Sequence, residues 1–167
     1  LNNYACIAPV EDKIHIIAGH RDPKHWVFNE KTESLQLLHS FPDLHKISGA
    51  TAIYIKHKRE MVFFGGRKYK MQEEEIHEVT IRSSPDPKLM SCLVVYSLDK
   101  NQWIHEWDVS IERYGQEAVI TSNEKYILIA GGYDGQHNKL DTILVMDIDN
   151  DYNVMESKVK FPRPGCH

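Results

Sequence analysis

The fold of this chain is decided by three stretches: Lys13-Ile14-His15-Ile16-Ile17-Ala18-Gly19, Glu60-Met61-Val62-Phe63-Phe64-Gly65-Gly66 and Lys125-Tyr126-Ile127-Leu128-Ile129-Ala130-Gly131-Gly132. Each is an apolar run of five or six residues that ends at glycine. This length is typical of a strand rather than a helix. The recurrence of one strand-then-glycine signal predicts an internal repeat.

The repeat extends outward from these anchors. A polar loop follows each one, and then a second apolar strand that contains Phe28, Tyr96 or Met146 at the matching position. Seven residues beyond Phe28 and Tyr96 stand Leu35 and Trp103. Further strands are expected at Ala5–Ala8, His25–Asn29, Leu35–His39, Ala50–Lys56, Cys92–Leu98, Trp103–Trp107, Glu117–Thr121, Thr142–Ile148 and Val154–Val159.

About twelve short strands result, joined by short polar turns, and the chain shows no clear helical periodicity. Residues 103–111 come closest to a helix, but they fit a strand period about as well. The pattern therefore predicts an all-β meander, sandwich or propeller. The repeat divides residues 1–167 into units of roughly 3–45, 46–112 and 113–161, with a surface-loop insertion at about 70–88 in the middle unit.

These residues resemble the kelch repeat. The signature of that family is a Gly-Gly doublet after an apolar strand, a Tyr about one strand later and a Trp seven residues beyond the Tyr. The middle unit has all of it, the third keeps the doublet, and the first keeps one glycine, which gives the positions Gly19, Gly65, Gly66, Tyr96, Trp103, Gly131 and Gly132. The resemblance implies a partial kelch-type β-propeller of about three four-stranded antiparallel blades, with Tyr96 and Trp103 packed between blades.

A closed propeller needs about four to eight blades. Three units therefore predict either part of a longer array or two chains that together form a six-bladed ring. The first residues, Leu1-Asn2-Asn3-Tyr4, lack an initiator Met and a signal-peptide pattern, so a cut inside a longer chain or a processed end is expected there.

Composition narrows the function classes. The 167 residues are 41% hydrophobic and 26% charged, which is too apolar for a disordered chain. The net charge of −4 offers no basic field for nucleic acid. Apolar runs of about six residues cannot span a bilayer, which needs about 20. Three well-separated cysteines favour a reducing, cytoplasmic location over secretion.

No catalytic, metal or cofactor site is expected. The ten histidines have no metal-ligand spacing and are predicted to be scattered on the surface. Asp147, Asp149 and Asp151 mimic the start of a calcium loop, but Tyr152 and Lys158 stand where Gly and Glu are needed. Cys92 is predicted to be a small buried hydrophobic residue rather than a nucleophile.

A binding surface is the stronger prediction. In an antiparallel four-stranded unit, the loop after the second strand and the connector to the next unit open on the same face. Arg and Tyr, which anchor many interfaces, are frequent among the residues placed there. The candidate binding residues are Arg21, Arg67, Tyr69, Arg113, Tyr114, Tyr133, Asp134 and Arg163.

The leading hypothesis is a non-catalytic module that presents this face to a protein partner, as an adaptor or scaffold. One alternative is a metalloenzyme fragment, because some kelch-like propellers are copper-radical oxidases. Another is a truncated or degenerate array with no independent function, which is expected to aggregate through exposed blade edges.

Overall fold

The computed structural model describes residues 5–17, 24–38, 46–69 and 88–162. Within these ranges every regular element is a strand, so no helix there is long and apolar enough to cross a membrane. The strands are β1 Cys6–Val10, β2 Lys13–Ile17, β3 His25–Asn29, β4 Ser34–Leu37, β5 Lys46–Ser48, β6 Thr51–Ile55, β7 Glu60–Phe64, β8 Arg67–Tyr69, β9 Lys88–Leu89, β10 Cys92–Ser97, β11 Gln102–Asp108, β12 Glu117–Ile120, β13 Tyr126–Ala130, β14 Thr142–Asp147 and β15 Asn153–Lys160.

Twelve of the strands form three four-stranded sheets. Sheet I is β1-β2-β3-β4, sheet II is β6-β7-β10-β11 and sheet III is β12-β13-β14-β15. Every pairing is antiparallel, and each sheet is an up-and-down meander. The predicted fold class, all-β with three four-stranded antiparallel sheets, is confirmed. Residues 103–108 of the segment with a possible helical period belong to β11 and are extended.

A fourth sheet, the small sheet, was not expected from the sequence. It has the order β5-β8-β9 and joins the chain before sheet II to the two ends of the middle loop. The predicted loop insertion at about 70–88 lies outside the described residues except for Lys88, which begins β9.

Sheet II is buried on both sides because alternate residues of a strand point to opposite faces. Met61, Phe63 and Tyr96 pack in a first core with sheet I. Val62 and Phe64 pack in a second core with sheet III. Each buried side chain of this size stabilises the fold by about 1.5–3 kcal/mol. The continuous apolar run of β7 thus serves two cores at once.

Tyr96 and Trp103 lie between sheets I and II. Tyr96 is 1% exposed, and its ring centroid is 5.2 Å from that of Trp103 and 4.7 Å from that of His25 in sheet I. The Tyr96 hydroxyl donates to Asn101 Oδ1 at 2.5 Å, so its polar end is satisfied. The aromatic pair therefore joins one sheet to the next.

The glycine doublets lie where the connector into a sheet passes over it. A Cβ on Gly66 would come within 2.9 Å of the Ser48 carbonyl, and one on Gly132 within 2.8 Å of the Tyr114 carbonyl. Both glycines also have positive φ, +94° and +87°. Only glycine leaves room for this approach. Gly19, the third predicted anchor, lies outside the described residues.

Two histidines are buried, which corrects the expectation that all histidines lie on the surface. His15 and His25 are 4% and 0% exposed, and His15 Nδ1 lies 2.8 Å from His25 Nε2. Burial lowers the pKa of His15 to about 4. The prediction failed because it placed the histidines on exposed strand faces, whereas His15 and His25 lie on the face of sheet I that packs against sheet II. Cys92 is only partly buried and packs against the first core.

The turns between paired strands hold the three sheets together at one end of the molecule. Arg59, in the β6–β7 turn of sheet II, pairs with Glu11 of sheet I and, at 2.7 Å, with Asp99. In the same turn, His57 Nδ1 lies 2.8 Å from Glu124 of sheet III. Basic side chains of the central turn therefore reach acidic groups on both neighbouring sheets.

Within the described residues, no sheet packs against the outward faces of sheets I and III. Ile7 in β1 is 62% exposed and Val159 in β15 is 65% exposed. Other large apolar side chains exposed in these two sheets are Leu35, Leu37, Val119, Leu128 and Met155. The stack therefore ends in apolar surface on both sides.

Candidate functional site

Three segments meet at the end of the molecule opposite those turns. They are the start of β8, the connector 109–116 between sheets II and III, and the β13–β14 loop at 131–141. Backbone hydrogen bonds fix them: Gly66 donates to the Arg113 carbonyl at 2.8 Å, and Tyr114 and Tyr133 exchange bonds of 3.1 and 2.9 Å. The backbone of these segments is therefore fixed by sheet-like hydrogen bonds, and this sets the positions from which their side chains extend.

Arg67 and two tyrosines stack on one another. The guanidinium carbon of Arg67 lies 3.6 Å from the centroid of the Tyr114 ring. The Tyr133 ring stacks on Tyr114 with centroids 5.3 Å apart and planes 22° from parallel. A guanidinium over an aromatic face is attracted by the ring quadrupole. All three side chains are partly exposed, so the stack forms surface.

His137 contacts both Arg67 and Tyr114. Its Nδ1 lies 2.7 Å from Arg67 Nη2 and 2.8 Å from the Tyr114 hydroxyl. Because a guanidinium can only donate, Nδ1 is the acceptor in the contact with Arg67. His137 has a positive φ of 65°, which turns its ring back toward the stack. His137 is not among the predicted binding residues, because its role depends on the loop conformation.

Asp134 shapes the loop that presents His137. Its Oδ1 accepts from the backbone N–H groups of Gln136 and Asn138 at 2.8 Å, and its Oδ2 accepts from Asn138 Nδ2 at 2.9 Å. The Asn138 hydrogen bonds are the main cause that lowers the pKa of this carboxyl. Asp134 therefore holds the loop in shape, and its carboxylate is already well supplied with donors.

Arg113 corrects the predicted binding set. It is 5% exposed, its Nη1 donates to the carbonyls of Gly131 and Thr142 at 3.1 and 3.2 Å, and its Nη2 donates to Thr142 Oγ1 at 2.9 Å. Burial lowers the pKa of the guanidinium. The topology placed the residue at the correct end, but only the path of the connector decides that its side chain points inward. Arg113 supports the fold instead of lying on the surface.

The structure thus brings together Arg67, Tyr114, Tyr133 and Asp134 from the predicted set. Tyr69 belongs to β8, where its backbone pairs with Lys46. Arg21 and Arg163 lie outside the described residues. Gln116, which was not predicted, is buried and donates through Nε2 to the Phe64 carbonyl at 3.2 Å.

Metal ligands do not cluster in the part of the chain that the structure describes. No group of three or more His, Cys, Asp or Glu residues there is arranged to hold a metal ion. The aspartates that mimic a calcium loop lie in the β14–β15 turn, where Asp147 Oδ1 accepts from the Asp149 backbone N–H at 3.2 Å.

Comparison with known proteins supports the architecture. No protein-family model and no curated protein matches the sequence. The solved structure of YjhT, which has a β-propeller-like fold, is similar with a TM-score of 0.73 and 12% sequence identity. The match covers 96% of this chain and 52% of YjhT.

The fold is β-propeller-like. Sheets I, II and III correspond to stacked propeller sheets, and the chain spans about half the length of YjhT. At this level of identity the likeness establishes the propeller architecture alone. The surface formed by Arg67, Tyr114, Tyr133 and His137 is called the docking surface below.

Proposed function

We propose that this chain is a non-catalytic protein-binding module of the kelch type, and that its partner binds the docking surface. The observation that carries the proposal is the preorganised stack: Arg67 lies 3.6 Å from the Tyr114 ring, and both contact His137. Side chains that are already ordered lose little entropy when a partner binds.

The residue types also support a protein partner. Tyr and Arg dominate the energetics of many interfaces, since each buries a large area and carries a directed polar group. The spacing of Gly65, Gly66, Tyr96 and Trp103 supports the kelch type, whose propellers serve as interaction modules. Three well-separated cysteines in 167 residues suit a cytoplasmic scaffold.

Affinity capture with matched variants tests the proposal. The bait is the folded chain, and the comparison is between Tyr114→Ala and Tyr126→Ala, where Tyr126 is an exposed tyrosine on the outward side of sheet III. We expect wild type and Tyr126→Ala to capture the same set of proteins. Tyr114→Ala should recover these proteins in amounts at least about tenfold lower, as expected for a hot-spot residue.

Unfolding midpoints of both variants establish that the bait is folded. Equal recovery by Tyr114→Ala and wild type contradicts the proposal, as does an equal loss in both tyrosine variants. Tyr133→Ala provides a second variant of the same surface, and it is expected to behave as Tyr114→Ala does.

A further inference from the structure

The small sheet is basic in a chain that is acidic. Half of its residues are Lys or Arg and none is Asp or Glu, although the net charge of the whole chain is −4. Lys68 and Lys88 are directly opposite in the β8–β9 register. Two lysines in this position add positive charge to one face of the small sheet.

The three arginines among the described residues differ in the groups that contact their guanidinium. Arg59 pairs with the carboxylates of Glu11 and Asp99. Arg113 is buried and donates to carbonyl and hydroxyl oxygens. Arg67 pairs with no carboxylate of the described residues, and its contacts are with Tyr114 and His137. Because the Arg67 guanidinium is partly exposed, it can pair with a carboxylate of a binding partner.

We propose that the partner presents an acidic peptide segment, one carboxylate of which pairs with Arg67. This inference rests on the proposed function and names the chemistry of its partner. Stacking on Tyr114 fixes the plane of the Arg67 guanidinium. Its parallel N–H groups can therefore bind a carboxylate with little loss of side-chain conformational entropy. Lys68 and Lys88 lie on the other side of the small sheet and add positive charge to this end of the molecule.

The same geometry favours a peptide over nucleic acid. Single-stranded nucleic acid is held by bases stacked on free aromatic faces. The Tyr114 ring already has Arg67 against it and Tyr133 stacked on it. The docking surface therefore offers a fixed cation rather than a base-stacking platform.

A phage-displayed library of random twelve-residue peptides, selected against the folded chain, tests the inference. We expect the selected peptides to be enriched in Asp and Glu. Fluorescently labelled copies should lose at least about tenfold in affinity toward Arg67→Gln, the loss typical of a removed charge-assisted pair. They should keep their affinity toward Lys125→Gln, in which an exposed lysine at the opposite end is changed.

Other outcomes overturn the inference. Neutral or basic peptides, an empty selection, or acidic peptides that bind Arg67→Gln as tightly as wild type would each contradict it. Stronger binding of oligothymidylate than of the acidic peptides would favour nucleic acid instead. Captured proteins that are lost in Tyr114→Ala but retained in Arg67→Gln would leave the proposed function intact and remove only this inference.

Discussion

At the scale of single residues, Gly132 has the least room for change. A Cβ there would lie 2.8 Å from the Tyr114 carbonyl, and its φ is +87°. We expect Gly132→Ala to lower the free energy of unfolding by about 1–3 kcal/mol, because the positive φ and the contact both disfavour a side chain. Urea unfolding followed by tryptophan fluorescence measures the change.

Gly135→Ala is the matched control. It lies in the same loop, and a Cβ there would meet only the Leu89 side chain, at ordinary distances of 3.7 and 3.9 Å. Its effect should be small. Equal destabilisation by the two substitutions would show that the approach of the connector does not matter.

His15 makes stability depend on pH. Its pKa is lowered from 6.5 to about 4 by burial, so the unfolded chain takes up a proton at a higher pH than the folded chain. The contribution of neutral His15 to the free energy of unfolding is fully present above about pH 6.5. It is lost as the pH falls toward 4, because protonation then favours the unfolded chain. Its size is about 3 kcal/mol, since each pKa unit corresponds to about 1.36 kcal/mol.

Urea unfolding at pH 7 and pH 4.5 checks this dependence. We expect His15→Gln, which does not titrate, to lose less stability between the two pH values than wild type loses. If His15→Gln loses as much unfolding free energy between pH 7 and pH 4.5 as wild type, the acid sensitivity belongs to other groups.

Sequence reasoning located residues better than it oriented them. The position of Arg67 followed from the glycine doublet and the order of the strands, because chain topology fixes which end a loop occupies. The inward turn of Arg113 and the burial of His15 depend on which face the neighbouring sheet covers. In Lys13–Ile17 both alternating sets contain apolar residues, so the pattern alone cannot choose the face.

At the scale of elements, twelve strands were predictable because most carry a local apolar run that ends at a turn, and the repeat supplies the positions of weaker ones such as β4 and β15. The small sheet was not predictable for the opposite reason. Its strands are three, three and two residues long, and β8 pairs with β5 and β9 across long stretches of sequence. Nothing local marks such strands, so the basic character of this sheet emerges only from the fold.

The two faces of sheet I provide an element-scale prediction. Trp103 of β11 packs with Tyr96 and His25 between sheets I and II, whereas Trp26 of β3 lies on the outward face beside Leu37. Trp103→Ala should lower the free energy of unfolding by about 3 kcal/mol, the low end for truncation of an aromatic side chain, because Trp103 is partly buried. Trp26→Ala should cost clearly less, and equal costs in chemical denaturation would contradict the assignment of the faces.

At the scale of the whole molecule, the uncovered faces predict self-association. Ile7 and Val119 are exposed on opposite ends of the stack, and apolar patches of this kind favour contact between molecules. We expect sedimentation velocity to show species larger than a monomer, and Ile7→Lys with Val119→Lys to shift them toward the monomer.

A matched pair of charges at exposed turn positions, Thr32→Lys with Asn150→Lys, controls for net charge. It should leave the association unchanged. A wild-type chain that sediments as a clean monomer at all concentrations would contradict this prediction.

Sheet II contributes to both cores, whereas sheets I and III contribute to one each. The terminal sheets should therefore unfold locally at a lower free-energy cost than the middle sheet. A terminal sheet can detach and expose a single core, but opening the middle sheet exposes both. Deuterium uptake should therefore be slowest at the backbone amides of β7 and β10, where it reports complete unfolding. The amides of β4 and β15, the outermost strands of the terminal sheets, should exchange first.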